Sequence, residues 1–173
     1  MPNVYLCSFA SPDLNLSVRR FQKQSKELNF YDGIKVFSHK NLSSDKQKQI
    51  LSFFQKGQKR LHGYACWKPE IILSYLNEIP TGSILQYSDI GCHFNYKGIK
   101  RLNDYIEIAG KNNMLSFKYN KPSFDLKENL KFQIYYEYQY TKADSWKYLK
   151  VNHDSEILKT EQIWPGTIFF KKN

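Results

Sequence analysis

The residues best placed to do chemistry stand together in Ile84-Leu85-Gln86-Tyr87-Ser88-Asp89-Ile90-Gly91-Cys92. A short apolar run of this kind reads as a buried strand, and this one delivers a carboxylate at its end. Asp89 can there hold Mg²⁺ or Mn²⁺, and the metal in turn neutralises a diphosphate. Gly91 lets the backbone turn, or a ligand come close. An Asp after a strand also serves as a plain turn or helix-cap residue, so the pattern alone does not separate the two uses.

A second group is Lys59-Arg60-Leu61-His62-Gly63-Tyr64-Ala65-Cys66-Trp67-Lys68-Pro69. Cations and aromatics lead into Pro69, which suits the first position of a helix. The start of a helix offers unbonded N–H groups and the positive end of its dipole to phosphate. The competing reading is a basic, solvated loop with Trp67 packed inward. Cys7, Cys66 and Cys92 show no CxxC spacing. An odd count without a framework points to free thiols in a reducing compartment and to small core residues rather than nucleophiles.

These groups need elements to position them. Val4–Phe9, Gly33–Ser38 and Ser83–Ser88 read as short strands. Leu14–Leu28 has helical spacing in Leu14, Val18, Phe21 and Leu28. Ser44 followed by Gln47 reads as a capping box that opens a helix to about Gln58. Pro69 to about Asn77 is a third helix. Strands separated by helices predict a parallel sheet with right-handed crossovers, with ligands at the carboxyl ends of the strands. Ser8–Ser11, Ser38–His39 and Asp89–His93 fall on that rim. Further on, Ile99–Ala109 reads as a helix closed by Gly110, and Met114–Tyr119 as a strand. Lys131–Tyr140 is strongly aromatic. Thr141 with Asp144 reads as a second capping box, before a short helix through Leu149. Thr167–Phe170 is a final strand.

The 173 residues suit one domain able to bury a core without disulfides. The formal charge of +10 invites a nucleic-acid reading. Yet Arg19, Arg20, Arg60 and Arg101 are the only arginines, whereas base readers lean on arginine. The charge is therefore read as solvated lysine with a taste for anions: nucleotide phosphates or acidic headgroups, with no specific nucleic acid. No apolar stretch reaches the about 18 residues of a spanning helix, and the N-terminus has no signal-peptide pattern. The expected place is the cytoplasm, with peripheral contact at the inner face of the membrane.

Gly63 to Gly91, GYACWKPEIILSYLNEIPTGSILQYSDIG, resembles a segment of bacterial glycosyltransferase-like proteins of the GT-A, nucleotide-diphospho-sugar transferase, superfamily. Those proteins carry an aromatic-rich GYWxWKP element, a helix, a strand of the form GD-I-L-x-Y, and then D-x-G-C. Gly63, Tyr64, Trp67, Lys68, Pro69, Ile84, Leu85, Tyr87, Asp89, Gly91 and Cys92 match. VYLCSFAS resembles their first strand and YDGIKVF their second. EYQYTKAD and QIWPG look like later segments. The resemblance implies an α/β fold, a GT-A-like Rossmann-type, mostly parallel sheet flanked by helices, in a single domain over residues 1–173. It implies transfer of a sugar from a nucleotide-sugar donor to a cell-surface glycan, a lipid-linked glycan or a lipopolysaccharide-type acceptor. Ser8, Phe9 and Ala10 would hold the nucleoside. Asp89 and Gly91 would meet the diphosphate, directly or through Mn²⁺ or Mg²⁺, and Lys68 beside Trp67 would offset leaving-group charge. Two departures stand out. GT-A enzymes often have D-x-D, and this chain has Asp89-Ile90-Gly91. Their later HRHDQS-like motif has no counterpart, so the expectation is a donor half lacking a C-terminal part. No catalytic base is assigned; Glu161, His93 and Asp144 are the available groups. The alternatives are an inactive nucleotide-sugar-binding remnant and, from charge and interleaved aromatics, a basic nucleic-acid-binding module.

Overall fold

The computed structural model describes residues 2–118, 136–141, 143–152 and 154–173. The chain divides into two compact units, Met1–Leu115 with Gly166–Asn173, and Ser116–Pro165.

The first unit is built on β1 (Val4–Phe9), β2 (Gly33–Phe37) and β3 (Ile84–Ser88). β1 pairs parallel with both others, Tyr5 opposite Gly33 and Val4 opposite Ile84. The three strands expected from sequence are thus neighbours in one sheet. β4 (Met114–Lys118) and β5 (Ile163–Lys171) complete the order β2-β1-β3-β5-β4. β5 runs antiparallel to β3, Ser88 opposite Thr167. The sheet is therefore mixed around a parallel core, and the molecule is α/β.

Helices α1 (Asn15–Glu27), α2 (Ser44–Gln55), α4 (Lys68–Glu78) and α5 (Ile99–Asn112) flank it; the short segment α3 (Leu61–Tyr64) between α2 and α4 is a left-handed turn rather than a regular helix. Side chains alternate along a strand, so each strand feeds two cores. Leu6 and Ala10 pack with Phe21 of α1 on one face. Cys7, Phe9, Leu85 and Tyr87 pack with Ile50 of α2 and Ile71 and Tyr75 of α4 on the other. Gly33 is needed where β2 passes that second layer. A Cβ there would lie 2.8 Å from Tyr5 Cδ1 and 2.9 Å from Tyr75 Oη.

Two helix ends differ from the sequence reading. The N-cap of α2 is Ser43, one residue before the expected Ser44, and its Oγ accepts from the Lys46 N–H. Glu70 accepts from both the N–H and the Oγ of Ser43, a partner from 27 residues away. Gln47 donates instead to the Leu42 carbonyl at 2.8 Å. α5 runs through Gly110 and ends at Asn113, whose φ of 65° supplies the left-handed cap. An isolated glycine costs a helix only about 1 kcal/mol, which the packing of Ile106 and Ala109 overrides.

In the second unit, α6 (Glu137–Tyr140) and α7 (Ala143–Tyr148) are short. Tyr136 bridges Glu161 in antiparallel fashion. Thr141 donates through Oγ1 to Glu137 at 2.5 Å, which joins the two ends of the first turn. Residues 131–135 of the aromatic 131–140 stretch and the Asp144 side chain lie outside the described residues. No described helix is long and apolar enough to cross a membrane.

Candidate functional site

β1 leaves its carboxyl end toward α1 on one face, while β2 leaves toward α2 on the other. Diverging exits of this kind open a crevice at the carboxyl edge of an α/β sheet. Phe9 and Ala10 stand at the end of β1, His39 just past β2, and Asp89 just past β3.

Asp89 is held from two sides. Lys68, in the first turn of α4, donates Nζ to Asp89 Oδ1 at 3.0 Å. The Tyr87 hydroxyl donates to the same oxygen. Burial, and then the neighbouring Asp89 charge, push the Tyr87 phenol far above its usual range, so it remains a donor. The Lys68 side chain is 14% exposed and that of Asp89 47%. The ammonium also lies 4.6 Å from the Tyr87 ring centre and 5.9 Å from that of Trp67. A cation is thereby fixed beside the start of α4, with half of a carboxylate open to solvent.

Trp67 is only 6% exposed and lies face to face with Phe9, ring centres 3.9 Å apart. Its Nε1 donates to the Leu61 carbonyl at 3.3 Å. That carbonyl opens a rare backbone feature. Leu61, His62, Gly63, Tyr64 and Ala65 all have positive φ, between 48° and 84°. Each non-glycine residue there costs about 1–2 kcal/mol, and strain of this kind gathers where a structure must place a side chain precisely. Gly63 cannot be replaced freely, since a Cβ would lie 3.1 Å from Ile50 Cγ1. The turn delivers His62 onto Phe9, ring centres 5.6 Å apart, and against His39, Nε2 to Nδ1 3.3 Å. Apart from Gly63 no pattern in the sequence announces this turn, so the meeting of His62 with His39 is found only in the fold.

Burial first, and then the charge of His39, lower the pKa of His62, while Asp13 acts the other way. The fold thus prefers neutral His62. As pH falls below the ordinary 6.5, the unfolded chain takes up a proton that the folded chain resists, and stability falls. In His62→Asn, which tolerates the left-handed backbone, urea midpoints measured from pH 7.5 to 5.5 should show a shallower acid slope than the parent. An unchanged slope would assign the loss to other groups.

The residues expected to form one donor site divide between two faces. Phe9, Trp67, Lys68 and Asp89 share the α4 face. Ser8 and Ala10, by alternation, belong to the α1 face with Leu6, so the Ser8 side chain does not converge with Asp89. Gly91 is exposed, with open space where a Cβ would stand. Ser8 is fully buried, and its Oγ has no hydrogen-bond partner among the described residues. Ser8→Ala should leave stability unchanged or raise it by about 1 kcal/mol, measurable by chemical unfolding. A clear loss of stability would reveal a partner for that hydroxyl.

His93 is exposed. Glu161 lies in the second unit, 3.7 Å from Lys118. Cys7 is buried, and Cys66 and Cys92 are half-buried, all as free thiols; burial raises all three pKa values. None is therefore disposed to act as a thiolate. Among the described residues, no group of three or more His, Cys, Asp or Glu side chains is arranged to hold a metal. A metal at Asp89 would rely on this single carboxylate plus the phosphates of a ligand, an arrangement that Mg²⁺ uses.

Fold and site together define an α/β protein with a fixed cation, Lys68, paired to a half-exposed carboxylate, Asp89, at the carboxyl edge of its parallel strands. No protein-family model, no curated protein and no solved structure matches the chain.

Proposed function

We propose that the chain is the nucleotide-sugar-binding part of a GT-A-like glycosyltransferase acting on a cell-surface glycan, lipid-linked glycan or lipopolysaccharide-type acceptor. The observation that carries this reading is the Lys68–Asp89 pair at the carboxyl edge, at the first turn of α4. Lys68 and the helix start favour a diphosphate, and the exposed half of Asp89 is open to Mn²⁺ or Mg²⁺ bridging to it. Transfer chemistry of this kind rests on stabilising the departing nucleoside diphosphate, and fixed charges do that without reorganising. His39 and His62 add two imidazoles to the same edge. Work at the inner face of the membrane fits the excess of lysine.

The test is thermal unfolding in the presence of several nucleotide-sugars, with and without Mn²⁺. A fitting donor at about 100 times its dissociation constant adds about 2.7 kcal/mol of stability. Stabilisation with turnover supports a transferase. Stabilisation without turnover by the whole protein supports an inactive binding remnant, and no stabilisation by any nucleotide-sugar overturns the donor site.

A further inference from the structure

On the α1 face of the sheet, opposite to Lys68 and Asp89, lies a cavity of about 260 Å³ that the donor reading does not use. Its floor is polar where a sheet face packed against helices ordinarily carries aliphatic side chains. Gln86, 6% exposed, accepts from the Tyr31 hydroxyl at 2.8 Å and donates through Nε2 to Ser88 Oγ at 2.9 Å. Ser88 Oγ is in turn 3.2 Å from Thr167 Oγ1. This relay orients the Gln86 amide and leaves it, among the described residues, one further N–H and one further carbonyl lone pair. Gln86 and Thr167 both line the cavity, between the rings of Phe94, Tyr105 and Phe169.

The rim has a different character. Arg101 and His93 line the opening and are exposed. Arg20 is engaged elsewhere, donating to the Ile90 and Cys92 carbonyls at 2.7 Å each, which fixes the loop before His93. Arg101 has no hydrogen bond or ion pair among the described residues, so its charge is available at the mouth. The volume is below the about 300–1,000 Å³ of sites that enclose drug-sized molecules, which limits the buried part of a ligand to about one ring.

We propose that this cavity binds a planar single-ring ligand that has an amide-type edge and carries an anionic substituent, the class to which pyrimidine nucleoside monophosphates belong. The ring stacks among the aromatic walls, its edge pairs with the Gln86 amide, and its anion meets Arg101 and His93 at the rim. This is a second site, independent of the donor reading.

Calorimetric titration with uridine monophosphate, uridine and inorganic phosphate tests it on the whole protein at low salt. The monophosphate should bind saturably, and about tenfold more tightly than uridine because of the charge-assisted contact. Inorganic phosphate should bind more weakly than either. Arg101→Ala, an exposed change that leaves the core intact, should weaken the monophosphate about tenfold and leave uridine unaffected. Gln86→Leu should weaken both, with thermal unfolding as the check that it folds. Asp89→Asn should change neither. The proposal is overturned if the monophosphate does not bind, if phosphate alone binds as well as the monophosphate, or if Asp89→Asn abolishes binding while Arg101→Ala does not. That last result would place the nucleotide at the carboxyl edge instead.

Discussion

Trp67→Ala should unfold some 10 °C below the parent protein. Trp67 is a core residue in this structure: it is 6% exposed, stacked on Phe9 and bonded through Nε1 to the Leu61 carbonyl. Truncating a buried tryptophan removes its transfer energy and leaves a cavity, together about 3–5 kcal/mol. In a chain of this size each kcal/mol moves the thermal midpoint by roughly 2–4 °C. The loss should also release the left-handed turn, because the Leu61 carbonyl loses its donor and Phe9 its stacking partner. His62 would then leave His39. Trp67→Phe should recover most of the stability, since a ring still fills the space over Phe9. Differential scanning calorimetry of the three proteins measures this directly. If Trp67→Ala unfolds within about 2 °C of the parent while donor affinity collapses, Trp67 is a ligand wall and its packing role is secondary.

Asp89→Asn should cut affinity for a stabilising nucleotide-sugar by about 100-fold, equivalent to about 2.7 kcal/mol, and should remove any gain from Mn²⁺. The neutral amide no longer offers a carboxylate to a cation, and Lys68 loses the charge that holds it at 3.0 Å. Folding stability should fall by only about 1 kcal/mol, because the carboxylate is half exposed and solvent screens the pair. Lys68→Met separates the contributions. It removes the cation but keeps the carboxylate, so it should weaken the diphosphate while retaining some dependence on Mn²⁺. Isothermal titration with and without the metal distinguishes these outcomes. Full affinity and intact Mn²⁺ dependence in Asp89→Asn would remove this residue from the donor site.

Much of the parallel core was legible before folding. Val4–Phe9, Gly33–Phe37 and Ile84–Ser88 are short apolar runs separated by helical spacing, and a chain of that pattern has few ways to bury its strands. The placing of Asp89 at a strand exit followed from the same pattern, and so did Pro69 in the first turn of α4. The cysteines were read as small core residues; Cys7 is buried in the core, and Cys66 and Cys92 are half-buried.

Other features were decided by contacts distant in sequence. The cap of α2 moved to Ser43 because Glu70 arrives from α4 to bond it. Ser8 and Asp89 seemed equivalent as rim residues, yet alternation within their strands sends them to opposite faces. A strand's face is set by register against both neighbours, which a motif match does not encode. The antiparallel course of β5 beside β3 was not legible, because the short Thr167–Phe170 run is compatible with either direction. The left-handed turn at Leu61–Ala65 and the meeting of His62 with His39 had no local signal apart from Gly63. Four non-glycine residues accept unfavourable backbone there because Phe9, Trp67, Ile50 and Phe54 surround the turn. Local sequence determined which segments are strands and helices, since spacing governs burial within a segment. Tertiary packing decided which side chains meet, because only the folded core supplies the energy that holds a strained turn in place.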